Sequence, residues 1–233
     1  MIVKDGWPFI LITLALTIIL LLGSLRWDSL FLIVLSSCLA IVTLFMAFFF
    51  RDPDRVVPDA PLAIVASADG RIVRIEPFNH PHIDGSATRV SIFLSIFDVH
   101  VNRVPVSGIV DYVKYNPGKF LPAFVDKASD LNEQTEIGLT TSEGHRIVFT
   151  QIAGIIARRI VCNLKQGDDV TMGERFGMIR FGSRCDLILP AGSSLKVQVG
   201  DRVKGGTTII GYLSTHAGNQ HHSDNVTEDN VKL

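Results

Sequence analysis

The sequence lacks an excess of charge of either sign. Lys and Arg number 22 against 23 Asp and Glu, giving a formal net charge of -1. No Lys/Arg cluster breaks this balance, so a nucleic-acid partner is not expected. Cysteine is scarce and odd in number: Cys38, Cys162 and Cys185 lie far apart, and there is no C-x-x-C. This excludes a disulfide framework and a thiolate zinc site, and fits a reducing compartment. There is no nucleotide-binding glycine loop and no metal-ligand cluster. His80-Pro81-His82 is tightly spaced, but its proline and the neighbouring Asn79 and Asp84 point to an exposed loop, not a metal pair. His145, after Glu143-Gly144, is expected in an exposed hairpin turn.

Apolar sequence, by contrast, is abundant, and much of it is concentrated in the first fifty residues. Trp7 to Gly23 is one nearly unbroken run and Leu30 to Phe50 another. A helix needs about 20 residues to cross the hydrocarbon, with about 17 as the lower limit. Both runs meet the limit, the first only just. Ser24 to Ser29 forms a short polar turn between them, with Trp27 suited to an interface. The reading is a helical hairpin that spans or deeply enters a bilayer. A cleaved signal peptide is disfavoured because no small-x-small site follows the first run. Lys4, Arg51 and Arg55 flank the outer ends and only Arg26 lies in the turn, which places both ends and the globular part in the cytoplasm.

Beyond Phe50 the texture changes. Arg51-Asp52-Pro53-Asp54-Arg55 is a charged connector, and about 180 residues remain, enough for one compact domain. Short apolar runs punctuated by glycine follow: Ile72–Ile75, Val90–Phe97, Gly108–Val113, Ile147–Ile152, Ile155–Val161 and Leu187–Leu189. These are strand lengths and strand compositions. The one helix candidate is Ala123–Leu131. A faint repeat relates Gln166-Gly167-Asp168-Asp169-Val170 to Val199-Gly200-Asp201-Arg202-Val203, and a second relates Gly70-Arg71-Ile72-Val73 to Gly108-Ile109-Val110. Such patterns suit a mainly β domain, α+β at the margin, of the barrel-sandwich kind. No Met-Lys hairpin tip is present to carry biotin or lipoate. From about residue 215 the chain loses core-forming residues and reads as a disordered tail.

Two segments could carry chemistry. In Arg180-Phe181-Gly182-Ser183-Arg184, a Gly-Ser pair stands between strand-like runs. Alone, such a pair is an ordinary turn. Yet glycine permits a strained backbone there, and the serine hydroxyl can reach the preceding carbonyl carbon. Attack exchanges the amide for an ester; elimination and hydrolysis then leave a pyruvoyl group and ammonia. That route needs a base and oxyanion donors. In the second segment, Val90 to Pro105, a continued strand would put Asp98, His100 and Asn102 on the apolar face of Val90, Ile92 and Leu94. The Asp98 carboxylate could then orient the His100 ring and favour its protonated form. The alternative is a strand that ends at Phe97 and a solvated turn.

The two segments, and their order, resemble phosphatidylserine decarboxylase of the short bacterial type. The matching features are Phe181-Gly182-Ser183 with a following strand and Pro190, Asp98-x-His100-x-Asn102-Arg103-x-Pro105, Asn132-Glu133, and the membrane-seeking N-terminus. The resemblance implies self-cleavage between Gly182 and Ser183, with Ser183 converted to a covalent pyruvate. It implies a Schiff base with phosphatidylserine, release of carbon dioxide, and His100 as the acid that protonates the product. It also implies a hairpin over 1–52, a catalytic region over 53–182 that becomes the large chain, and a small chain 183–233, held together as a heterodimer at the cell membrane. Longer bacterial members carry a further histidine before the Asn-Glu pair; here Lys119 stands at that place. Either His100 is the base for cleavage or Lys119 assists. Arg51, Arg55 and Arg103 are candidates to attract anionic lipid.

Two rival readings use fewer of these residues. A membrane-anchored adaptor with a lipoyl-like β domain gives Asp98, His100 and the Gly-Ser pair no role. A pyruvoyl decarboxylase acting on a soluble amino acid leaves the hydrophobic hairpin idle.

Overall fold

The computed structural model describes residues 1–118, 132–154, 160–180 and 183–215. The helix expected at 123–131, Lys119, Gly182 and the tail beyond 215 lie outside the described residues.

Two antiparallel helices form first: α1 (Trp7–Trp27), with Pro8 in its opening turn, and α2 (Leu30–Phe49). Asp28 adopts a left-handed conformation between them. Both helices are long and apolar enough to cross a membrane, and only 11% of either apolar window is buried, unlike a core helix of a soluble domain. Leu11, Ile12, Ile19, Leu22, Phe31, Ile41 and Leu44 point outward. The few hydroxyls are satisfied within the helices: Thr13, Thr17, Ser24, Ser36 and Thr43 each donate to a carbonyl three or four residues earlier. Ser24, Ser36 and Thr43 are buried, and small residues there let the helices approach closely.

The rest is β structure. The chain runs through β1 (Ala63–Val65), β2 (Gly70–Phe78), β3 (Ala87–Leu94), β4 (Val101–Arg103), β5 (Gly108–Asn116), β6 (Gln134–Thr140) and β7 (Arg146–Ile152). It continues through β8 (Ile160–Cys162), β9 (Asp169–Val170), β10 (Arg175–Ile179), β11 (Ser183–Pro190), β12 (Ser194–Leu195), β13 (Arg202–Val203) and β14 (Ile209–Tyr212). A curled eight-stranded sheet has the order β13-β2-β3-β11-β7-β6-β5-β9, and two smaller sheets are β1-β14-β12 and β4-β10-β8. The mainly β, barrel-sandwich-like expectation is met. Alternation decides the faces. Leu187 and Leu189 of β11 enter a core with Ile64, Ile72, Val90, Ile92, Ile137, Leu139, Phe149 and Ile210, while Ile188 packs on the other face with Ile83 and Val148.

The two repeats seen in the sequence turn out to be partners. Gly167 N–H donates to Val110 O and Val110 N–H to Asp168 O; likewise Gly200 N–H donates to Ile72 O and Ile72 N–H to Asp201 O. Each Gly-Asp turn is closed by its aspartate, which accepts from the N–H three residues earlier, Lys165 in one copy and Gln198 in the other. Gly167 and Gly200 both have positive φ, which explains the glycine. The β half is thus an approximate internal pair.

Three expectations need correction. The strand expected over 90–97 stops at Leu94, because Ser95 to Asp98 closes a turn. His145 is buried, not exposed, and its Nε2 lies 2.9 Å from Ser214 O. His80 and His82 are not a free loop either; their Nε2 atoms approach Glu136 and Asp111 at 3.4 and 2.9 Å.

Candidate active site

Topology brings the two chemical segments side by side. β11 pairs with β3 so that Ser183 faces Leu94, the last residue of its strand. β10 pairs with β4 so that Met178 faces Val101, and Ile179 N–H reaches His100 O. Residues 95–100 therefore run from the end of β3 that faces Ser183 to the end of β4 that faces β10. They carry Asp98 and His100, and Ser183 is the first residue of β11. Ser183 is fully buried, and its Oγ has no hydrogen-bond partner among the described residues. A buried hydroxyl without a partner is costly in a finished fold and calls for an explanation.

His100 supplies the second such atom. Its ring is fully buried, and Nε2 has no partner among the described residues. Nδ1 lies 2.9 Å from Asp98 O. A carbonyl only accepts, so Nδ1 carries the proton and Nε2 keeps its lone pair. Burial pushes the ring's pKa down from 6.5 to about 4, against an opposing pull from the Asp98 carbonyl and charge. This corrects the expected carboxylate–imidazole pair. The main chain of Asp98 orients the ring, and burial makes the neutral form the stable one. The Asp98 carboxylate instead accepts from Ser95 N–H and Oγ–H at 2.8 and 2.7 Å, holding the turn that leads to His100. Neither anticipated arrangement of this segment occurs: the strand ends early, yet the histidine is not solvated.

Sequence reasoning missed the group that buries it. The Phe49 ring, at the end of α2, lies 4.2 Å from the His100 ring centroid to centroid. Phe50 and Met178 complete that small cluster. The signal was present as the aromatic close of the second apolar run, Phe48-Phe49-Phe50.

Asn102 is buried and hydrogen-bonded within the fold. Its Oδ1 accepts from Gln151 Nε2 at 2.8 Å and its Nδ2 lies 3.3 Å from Cys185 Sγ, which ties β4 to β7 and β11 beneath the site. The Asn132-Glu133 pair packs at the other flank: Asn132 Nδ2 donates to Ala153 O and Ala153 N–H to Glu133 O. Ala153 follows Ile152, which faces Arg184 across the β7–β11 ladder. The described residues thus bring Ser183, His100 and Asn132-Glu133 around one junction; Gly182 and Lys119 lie outside the described residues. Among the described residues no group of three His, Cys, Asp or Glu could hold a metal ion.

The cations proposed for lipid are otherwise engaged. Arg103 is buried and donates to Asp52, Gly173 O and Pro53 O. Arg55 pairs with Asp69 at 2.7 Å. Arg51 donates to Phe48 O and Phe97 O. All three brace the junction between hairpin and β domain.

The sequence pattern of one protein family, phosphatidylserine decarboxylase, matches residues 42–211, from within α2 to β14. A protein of Desulfotalea psychrophila named phosphatidylserine decarboxylase proenzyme is 44% identical over 211 residues, covering 90% of this chain and 95% of its own. Its namesake in Symbiobacterium thermophilum is 45% identical over 213 residues, 91% of this chain and 95% of that one. Another, in Chlorobium phaeobacteroides, is 47% identical over 204 residues, 87% and 95%. The match takes in Ser183 and His100, and the chain belongs to the phosphatidylserine decarboxylase family.

Proposed function

We propose that this enzyme cuts its own chain between Gly182 and Ser183, converts Ser183 to a pyruvoyl group, and with it decarboxylates phosphatidylserine to phosphatidylethanolamine at the cell membrane. One observation carries the reading: Ser183 Oγ and His100 Nε2 are both buried and without a partner among the described residues, and they stand where β3–β11 and β4–β10 begin or end. A hydroxyl and a base-ready imidazole nitrogen are what the first step requires.

His100 Nε2 takes the Ser183 proton as Oγ attacks the Gly182 carbonyl carbon. The C–N bond breaks, an ester forms, and the nitrogen leaves as the Ser183 amine. Loss of the α-proton expels the Gly182 carboxylate and leaves a dehydroalanine; one water then replaces the nitrogen, released as ammonia. The pyruvoyl group supplies an electrophilic carbonyl for the substrate amine and accepts the electron pair left by carbon dioxide. In the uncut chain the neutral His100 ring suits a base, not an acid. The expected second role, protonating the product, is therefore not part of this proposal. The products are a large chain of 1–182 and a small chain of 183–233. β11 lies between β3 and β7, so ladders on both sides favour a lasting heterodimer. The hairpin keeps the catalytic region, on the cytoplasmic side, at the level of the lipid head groups.

Denaturing electrophoresis and intact mass of wild type beside Ser183→Ala test this. Wild type should give two chains, the smaller lighter by one ammonia than a chain beginning with serine, and should convert phosphatidylserine in vesicles. The variant should give one inactive chain. A single uncut, fully active wild-type chain refutes the proposal.

A further inference from the structure

The end of α1 nearest the β domain forms a hollow that the cleavage chemistry does not use. It has a volume of about 440 Å³ and is lined by Lys4, Asp5, Pro8, Phe9 and Arg180. Its position is defined by the membrane candidate itself, since the first apolar span begins at Lys4. On the bilayer reading, the hollow lies where hydrocarbon gives way to head groups.

Its walls divide by chemistry. Pro8 and Phe9 are apolar and open. Arg180 is mostly covered, with 14% of its side chain exposed. One guanidinium nitrogen pairs with Asp5 at 3.1 Å, and the group lies over the Phe9 ring at 5.2 Å. Its Nε has no partner among the described residues. Lys4 is exposed and makes no ion pair among the described residues. Lys4 and Arg180 against Asp5 leave one positive charge in excess. The other arginines at this boundary, Arg51, Arg55 and Arg103, are spent on the protein itself.

We propose that Lys4 and Arg180 form a seat for the phosphodiester of a membrane glycerophospholipid, with its glycerol end on Pro8 and Phe9. The inference rests on the reading of the chain as a bilayer enzyme. Arg180 lies three residues before Ser183 in the sequence. Asp5 anchors Arg180 to the N-terminal segment, and Arg180 belongs to the large chain, so the seat outlasts cleavage. A forked guanidinium and a flexible ammonium suit a singly charged phosphodiester. Both the substrate's own phosphate and that of a neighbouring anionic lipid have this chemistry.

The test uses full-length wild type, Lys4→Gln and Arg180→Gln, with processing of each checked by mass. KM and kcat for phosphatidylserine are measured in phosphatidylcholine and in phosphatidylglycerol vesicles. Loss of a charge-assisted contact should raise KM about tenfold and leave kcat within about twofold. A rise in both hosts assigns the seat to the substrate; a rise only in phosphatidylglycerol assigns it to a neighbouring lipid. Unchanged KM in both hosts for Lys4→Gln overturns the proposal, even if Arg180→Gln fails to process. A second readout needs no activity: calorimetric binding of dihexanoyl phosphatidylserine to the uncut Ser183→Ala chain, with and without Lys4→Gln. About tenfold weaker binding supports the seat and equal binding refutes it. A wild type that neither cuts nor decarboxylates sinks the bilayer-enzyme reading separately.

Discussion

The His100 ring should titrate near pH 4 in the uncut protein, and this can be measured directly. On the proposed cleavage, replacing Ser183 by Ala should hold the chain in its uncut form. With histidines carrying ¹³C and ¹⁵N, the chain is placed in nanodiscs and followed by NMR from pH 8 downward. The signal absent from a Ser183→Ala/His100→Gln sample is His100. It should show the Nδ1–H tautomer throughout the neutral range and a midpoint of about 4, against an ordinary value of 6.5. That difference of about 2.5 corresponds to about 3 kcal/mol favouring the neutral ring. The sign follows from proton counting. Between pH 6.5 and 4 the unfolded chain holds a proton on this residue and the folded chain does not, so stability rises with pH across that window. The penalty is absent above 6.5 and complete below 4. Thermal unfolding should show this as an acid-side loss of about 3 kcal/mol that His100→Gln abolishes. A midpoint at or above 6, or an Nε2–H tautomer, would refute the reasoning, because Nε2 would then hold a proton when the serine hydroxyl needs a base.

Other substitutions probe other parts of the argument. Arg184→Met removes the bidentate partner of a buried aspartate, held through two contacts of 2.8 Å, and should cost about 3–5 kcal/mol by denaturation; Arg184→Met/Asp186→Leu should recover much of it. Asp98→Ala opens the Ser95 turn and should slow the appearance of the two chains on a gel more than Asp98→Asn, which keeps an acceptor. Phe49→Ala leaves a cavity against the histidine; it should lower stability by about 3 kcal/mol or more and raise the His100 midpoint as water enters. Gly70→Ala drives a Cβ into the Phe93 carbonyl and should weaken the β2–β3 pair by about 1–3 kcal/mol in hydrogen exchange.

The sequence disclosed what is local and periodic. Two apolar runs became α1 and α2, and strands appeared at or around Ile72, Gly108, Ile147 and Leu187, because burial on one face imposes a period that can be counted. The Gly-Asp repeats were visible for the same reason, but their partnership with the Gly-x-Ile-Val strands was not, since it depends on contacts about sixty to 130 residues apart. Candidate site residues were legible by type and not by contact. Asp98 and His100 stood two apart, and spacing alone could not say whether the carboxylate or the carbonyl would meet the ring. The outcome depended on Ser95, which captures the carboxylate. Burial of His145 by Ser214, and of His100 by Phe49, likewise came from distant parts of the chain.

The interior place of β11 in the large sheet has a consequence for timing. Its neighbours are residues 87–94 and 146–152, and the core beneath it is closed by residues up to 213. The packing around Ser183 therefore includes residues that are synthesised after it. On the proposed self-cleavage, translation order would act as a safeguard: a chain stalled before β14 would have the serine but not the setting.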